Sequence, residues 1–201
     1  MNKIIFVVGL MFWALSAAAA VNPAADLKAL RTAGADNPVK IYVFSSFSCP
    51  HCGLFHRNVL PALKEKFAEA GRAQIVLVDM PGDGKAMAGS MIARCMAPEQ
   101  YEPFVSAMYA GQTQWMNAPN ARDVITGYAK MAGLAEAEID ACLGNKDLQK
   151  TILAQRENLS KLYNVQAMPS VVLVKDGNRK TWTGTNAQII MQGLNQEIKS
   201  P

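Results

Sequence analysis

The run Ile41-Tyr-Val-Phe-Ser-Ser-Phe-Ser-Cys49-Pro50-His51-Cys52 decides the reading of the whole chain. Its first half is aromatic and β-branched, a strand-like stretch, and it delivers two cysteines to what reads as the start of a helix. Two residues between the cysteines place both sulfurs on the first helical turn, close enough to close a small disulfide ring. One sulfur then sits at the helix terminus, where unpaired backbone N–H groups and the positive end of the helix dipole favour a thiolate over a thiol. The pattern is that of a redox site, and Cys49 is its candidate nucleophile.

Working outward, Leu54, Phe55, Val59, Leu60, Leu63 and Phe67 recur at helical spacing, with Pro61 as the expected kink and Gly71 as the stop. Residues 74–79, Gln-Ile-Val-Leu-Val-Asp, read as a second, fully buried strand. Strand, helix, strand implies a parallel pair with the cysteines at the carboxyl end of the first strand, which spans residues 39–45. Upstream, residues 24–33 have the composition of a short helix, broken by Gly34-Ala-Asp-Asn-Pro38. Downstream, residues 85–165 carry no strand signal and read as four or five helices. The chain returns to strand at Ser170-Val-Val-Leu-Val174, turns at Lys175-Asp-Gly-Asn178 and runs back through Arg179-Lys-Thr-Trp-Thr183, with the Asp-Gly signal of a tight turn. A closing helix is expected over residues 187–198.

The first residues have the grammar of a secretory signal: Met1-Asn-Lys3, an apolar core over residues 4–15, then Ser16-Ala-Ala-Ala-Ala20 with cleavage expected near Ala20. An uncleaved anchor is the alternative, and lipoprotein acylation is excluded because no cysteine precedes Cys49. About 180 residues then remain, enough for a proper core. The formal net charge of +4 includes Lys3, and the remaining lysines and arginines are scattered, so nothing asks for nucleic acid. Four cysteines in an exported chain fit an oxidising compartment, and the style of the signal suggests a bacterial periplasm.

At this point Phe44-Ser-Ser-Phe-Ser-Cys-Pro-His-Cys52 resembles the active-site stretch of the DsbA-like thiol:disulfide oxidoreductases. The resemblance covers residues 39–198 and implies an α/β thioredoxin-like fold with an inserted α-helical domain. Residues 21–84 and 166–201 would form the thioredoxin-like domain and residues 85–165 the insertion, after a signal peptide at 1–20. The family has a cis-proline at the start of the strand after the insertion, facing the cysteines. Pro169 occupies that place in Ala167-Met168-Pro169-Ser170, with Met168 as the variable residue before it. A cis bond there can expose the backbone of Met168 beside the disulfide, where an extended substrate could pair as an added strand. Arg94-Cys95-Met96 and Ile139-Asp-Ala-Cys142-Leu143 resemble the insertion of members that carry a second cysteine pair, which implies a structural Cys95–Cys142 disulfide; two buried free thiols are the alternative.

His51, between the cysteines, can donate to the Cys49 thiolate or pair with it when charged, and Pro50 and His51 are the candidate tuning residues. His56 reads as a surface or partly buried helix residue. Zinc is disfavoured because Cys95 and Cys142 stand singly, and haem attachment fails because Gly53 follows Cys52. Met87, Met91 and Cys95 fall four apart, which a copper(I) site or, more economically, an apolar stripe explains. One departure matters: many relatives carry a buried acid six positions before the nucleophile, where this chain has Val43, and Asp79 is then the nearest acidic candidate by topology.

The function implied is disulfide donation from Cys49–Cys52 to reduced, unfolded exported proteins, by a monomer that needs no metal and no cofactor beyond its thiols. Turnover would use a DsbB-like membrane quinone reductase. A disulfide reductase or isomerase of the same fold is the alternative, although such isomerases usually dimerise through an added amino-terminal domain and about 18 residues separate Ala20 from the first strand. From another class, a thiol chaperone or metal carrier would bind without turnover.

Overall fold

The computed structural model describes residues 30–198. The expected signal segment and cleavage point lie outside the described residues, as do residues 24–29 of the expected first helix. The remainder of that helix is instead a strand, β1 (Arg31–Ala33). Its Ala-rich composition favours helix, but it pairs antiparallel along the edge of β3 (Gln74–Asp79), Arg31 against Leu77, and the sheet edge supplies the hydrogen bonds a helix would have made for itself.

The sheet has five strands in the order β1-β3-β2-β4-β5, with β2 at Lys40–Ser45, β4 at Ser170–Lys175 and β5 at Asn178–Thr183. β2 and β3 are parallel and β4 runs antiparallel to β2, so the central strand is paired along both edges; it is also packed on both faces and reads as a near-continuous apolar run. Alternate residues divide the core. Ile41 and Val43 pack with Phe55, Phe67, Ile75 and Leu194 on one face, whereas Tyr42 and Phe44 pack with Val78, Leu159 and Tyr163 on the other. β4 and β5 form the expected hairpin, with Asp176 and Gly177 both at positive φ (50° and 76°).

The helix expected after the cysteines is broken into three pieces. α1 (Pro50–Asn58) ends at Val59, α2 is the short turn Leu60–Leu63, and a π-helical turn follows at Lys64–Glu69. The break falls just ahead of Pro61, whose ring and missing N–H disturb the preceding turn. Gly71 stops the run at φ 67°, as its place in the sequence suggests.

Between β3 and β4 the described chain forms six helices rather than four or five: α3 (Gly84–Cys95), α4 (Pro98–Ala110), α5 (Gln112–Asn117), α6 (Ala121–Met131), α7 (Glu136–Gly144) and α8 (Lys146–Leu162). The excess comes from close-set boundaries. Gly111 separates α4 from α5, and Asn145 both ends α7 and caps α8 by accepting from the N–H groups of Asp147 and Leu148. These helices have a core of their own around Phe104, Met108, Trp115, Ile125 and Ile139, which reaches the cysteine loop through Phe47 and Cys52. α9 (Ala187–Glu197), capped by Asn186, closes the chain against the sheet through Ile190 and Leu194.

Candidate redox site

β2 ends at Ser45, and the loop Ser46-Phe47-Ser48 turns the chain into α1 with Cys49 as the N-cap residue and Pro50 at the first helical position. The Cys49 N–H donates to the Ser46 carbonyl at 3.1 Å, and the Cys49 carbonyl accepts from the N–H groups of Cys52 at 3.0 Å and Gly53 at 3.3 Å. Two other chain segments hold the loop. Gln112 donates its side-chain amide to the Phe47 carbonyl at 2.5 Å, and Asp83, which caps α3 through the Ala86 N–H, also hydrogen-bonds Ser48. The Asp83 carboxyl lies below its ordinary value: partial burial opposes this, but those hydrogen bonds, with that from Lys85 N–H, outweigh it.

The two sulfurs occupy different environments. Both are free thiols, Cys49 half-buried and Cys52 fully buried. Cys49 Sγ donates to the Met168 carbonyl at 3.7 Å. The Met168–Pro169 bond is cis, Met168 is half-buried, and the Pro169 carbonyl accepts from Gly184 N–H. Cys52 Sγ accepts from Ser46 N–H at 3.5 Å. Burial first, and then its bond to Cys49, push the Cys52 thiol up to about 12, against the opposing pull of the Ser46 N–H and the Ser45 hydroxyl. Pro50 and His51 are exposed on the first turn of α1.

The distant candidates fall elsewhere. Cys95 and Cys142 form a disulfide that joins the end of α3 to α7, with Cα atoms 6.3 Å apart. Met87 and Met91 pack beside Cys142 and Ile152, so their spacing belongs to a helix–helix core. Asp79 is engaged rather than free, accepting from Arg94 Nε at 2.6 Å. Val43 lies in the wall of a cavity of about 40 Å³ behind α1, together with Ser45, His56, Asp79, Glu102 and Tyr109. His56 is half-buried, stacks on the Tyr109 ring at 4.9 Å, and is pushed toward its neutral form chiefly by burial.

Sequence reasoning passed over Ser45, Tyr109, Asp83 and Gln112. Ser45 stood inside the decisive stretch but read as the end of a strand. The Asp83-Gly-Lys pattern is a helix-cap signal, whereas Tyr109 and Gln112 carry no local mark, because only the packing of α4 and α5 brings them under the cysteine loop.

A family model described as Thioredoxin matches residues 31–189. The chain belongs to the thioredoxin family. Among thioredoxin-family structures, its fold is that of the crystal structure of alpha-DsbA1 from Wolbachia pipientis, with a TM-score of 0.73 at 20% identity over 84% of this chain and 90% of that one. A Rickettsia typhi protein provisionally named a protein-disulfide oxidoreductase is 23% identical over 135 residues, which are 67% of this chain and 50% of that one. A Bacillus cereus protein provisionally named disulfide bond formation protein D is 27% identical over 145 residues, 68% of this chain and 65% of that one. The chain thus spans about half the length of the Rickettsia protein. With β2, the cysteine helix α1, β3, the inserted helices, the β4–β5 hairpin and α9, this thioredoxin-family chain has the DsbA-like arrangement that its sequence resembles.

Proposed function

We propose that the protein is a thiol:disulfide interchange enzyme of the periplasm, donating its Cys49–Cys52 disulfide to reduced, unfolded exported proteins. The observation that carries this reading is the division between the two sulfurs: Cys49 is reachable at a helix N-terminus beside the Met168 carbonyl, and Cys52 is sealed beneath it. The names of the Rickettsia and Bacillus relatives support the same chemistry.

In the oxidised enzyme a substrate thiolate attacks Cys49 Sγ. The Cys49–Cys52 bond breaks, its electron pair goes to Cys52, which takes up a proton, and a mixed disulfide joins Cys49 to the substrate. A second substrate thiolate then attacks the substrate sulfur and releases Cys49 as a thiolate. Two substrate thiols become a disulfide and the enzyme disulfide becomes two thiols. The α1 N-terminus favours the negative charge that appears at Cys49, and exposed Pro50 and His51 tune it from the first turn. Met168 and Pro169 offer backbone to an extended substrate, and Cys95–Cys142 braces the inserted helices. The protein works as a monomer, uses its own thiols in place of a cofactor, and is reoxidised by a DsbB-like membrane quinone reductase.

The test is the reduction potential of Cys49–Cys52 in glutathione buffers, with Cys95 and Cys142 tracked separately by mass. A value near about −120 mV is expected of a disulfide donor. A value near about −230 mV or lower overturns donation in favour of a reductase or isomerase.

A further inference from the structure

Each turnover of the proposed chemistry changes the protonation of Cys52, yet that thiol has no exposed surface. With burial pushing it up, the thiol holds its proton at neutral pH. Closing the ring onto Cys49 therefore calls for a protein group that takes the proton as the sulfur attacks. The neighbouring Ser46 N–H can only donate. The Ser45 hydroxyl is different: it adjoins the Ser46 N–H that reaches Cys52, it favours the Cys52 thiolate, and its Oγ is 2.7 Å from the Tyr109 hydroxyl.

Tyr109 is held in place by ring contacts to Phe47 at 5.2 Å and to His56 at 4.9 Å. Burial pushes its phenol well up, so it stays a neutral hydroxyl that can both accept and donate. Ser45 and Tyr109 open onto the cavity of about 40 Å³ behind α1, which has room for a water molecule and, in a mostly apolar wall, a few polar groups to hold it. His56, Leu60 and Glu102 belong to the wall of that cavity and also to a groove open at the surface. The charged and titratable groups facing the route are His56 from α1, Asp79 from β3, and Tyr101 and Glu102 from α4. Asp79 is paired with Arg94 of α3, and Glu102 with Lys64.

We propose that the Ser45–Tyr109 hydroxyl pair is the proton conduit of Cys52, joining the buried thiol to solvent through the cavity behind α1. The inference rests on the interchange chemistry above, in which Cys52 takes up a proton as the disulfide is donated and must lose it as the disulfide is remade. In a mixed disulfide on Cys49, the Cys52 proton passes to Ser45 Oγ while the Ser45 hydroxyl proton passes to Tyr109. The Tyr109 proton leaves through the cavity past His56 and Glu102. The Cys52 electron pair forms the bond to Cys49 Sγ, the bond from Cys49 to the outer sulfur breaks, and the outer sulfur departs as a thiolate. When the enzyme donates its disulfide, the proton travels inward by the same groups. Ser45 is the hydroxyl placed next to the reacting sulfur, and Tyr109 acts through Ser45 as a positioning and relay residue.

The experiment uses full-length protein with glutathione joined to Cys49, and follows glutathione release from pH 5 to 9 in wild type, Tyr109→Phe and Ser45→Ala. Tyr109→Phe keeps the ring that packs on Phe47 and His56 and removes the hydroxyl alone. Release from both variants is expected to slow by about tenfold or more at pH 7, with the pH profile displaced upward, and imidazole buffer is expected to recover part of the rate. Alkylation of Cys49 by iodoacetamide in the reduced protein should stay within about twofold of wild type. Wild-type rates and profiles in both variants overturn the conduit alone. Slowing with an unchanged pH profile and no response to imidazole also overturns it, since that is the mark of a structural role. Failure of the wild-type protein itself to release glutathione overturns the interchange reading and the conduit with it.

Discussion

Cys49 Sγ stands 3.7 Å from the carbonyl oxygen of Met168, which lies 119 residues further along the chain. Six inserted helices leave the sheet and return between these two atoms, and β4 then lies antiparallel on β2 with Ser170 opposite Phe44. That register sets the cis Met168–Pro169 bond beside the start of α1. The reachable sulfur thus has the backbone carbonyl of Met168 next to it, while its partner sulfur faces the core.

The difference in access gives unequal single variants. Cys52→Ser should hold a stable mixed disulfide with a small disulfide probe, because nothing resolves it. Cys49→Ser should react on the order of a hundredfold more slowly, since Cys52 is buried and its thiol is raised. Mass spectrometry of the adducts checks this, and equal labelling of the two variants would refute the assignment of Cys49 as the attacked sulfur.

Joining Cys95 to Cys142 closes a loop across a sequence separation of 47. Replacing both by serine should lower stability by about 3–4 kcal/mol in the chain-entropy account, with the loss centred on α3 and α7. Urea unfolding of oxidised wild type against the double variant measures it; coincident midpoints would show that the bond contributes nothing.

The Asp79–Arg94 pair is mostly buried, with side-chain exposures of 20% and 4%. Arg94→Met should cost about 3 kcal/mol by leaving the carboxylate in the protein without this cation, and adding Asp79→Leu should recover much of the loss. The quantity that decides is the coupling energy from the double-mutant cycle: a value near zero would mean that the pair is independent of its partner.

Cys52 also makes a pH prediction for the reduced protein. Its folded value, about 12, lies above the ordinary thiol value of 9.0, so the folded state holds the proton where the unfolded chain has released it. Stability is undiminished below about pH 9 and falls as pH rises from there toward 12, by up to roughly tenfold in the folding constant per pH unit. Under reductant, wild type should lose melting temperature relative to Cys52→Ala as pH rises from about 9 to 11. Parallel curves for the two proteins would contradict a raised Cys52.

Much of this was legible because the decisive signals are local. The apolar run into Cys49-Pro50-His51-Cys52, the Asp-Gly turn of the hairpin and the stop at Gly71 each act within a few residues, so their pattern sets strand, helix start and turn directly. Residues 31–33 misled for the opposite reason: a weak helical composition yields to an open sheet edge, which is a tertiary feature. The long helix expected after the cysteines was divided at Val59, because the effect of Pro61 falls on the turn before it.

The sequence by itself determined that two cysteines stand at one-turn spacing behind a buried strand, the pattern from which the redox reading is drawn. Tertiary structure alone decided how the two sulfurs are treated. Whether Asp79 of β3 is free or bound depends on Arg94 from α3, and whether Cys52 meets a hydroxyl route depends on α4 carrying Tyr109 to within 2.7 Å of Ser45. Burial and proton transfer act over a few ångströms of space, between residues separated by 64 positions in the chain, and no local pattern encodes that proximity.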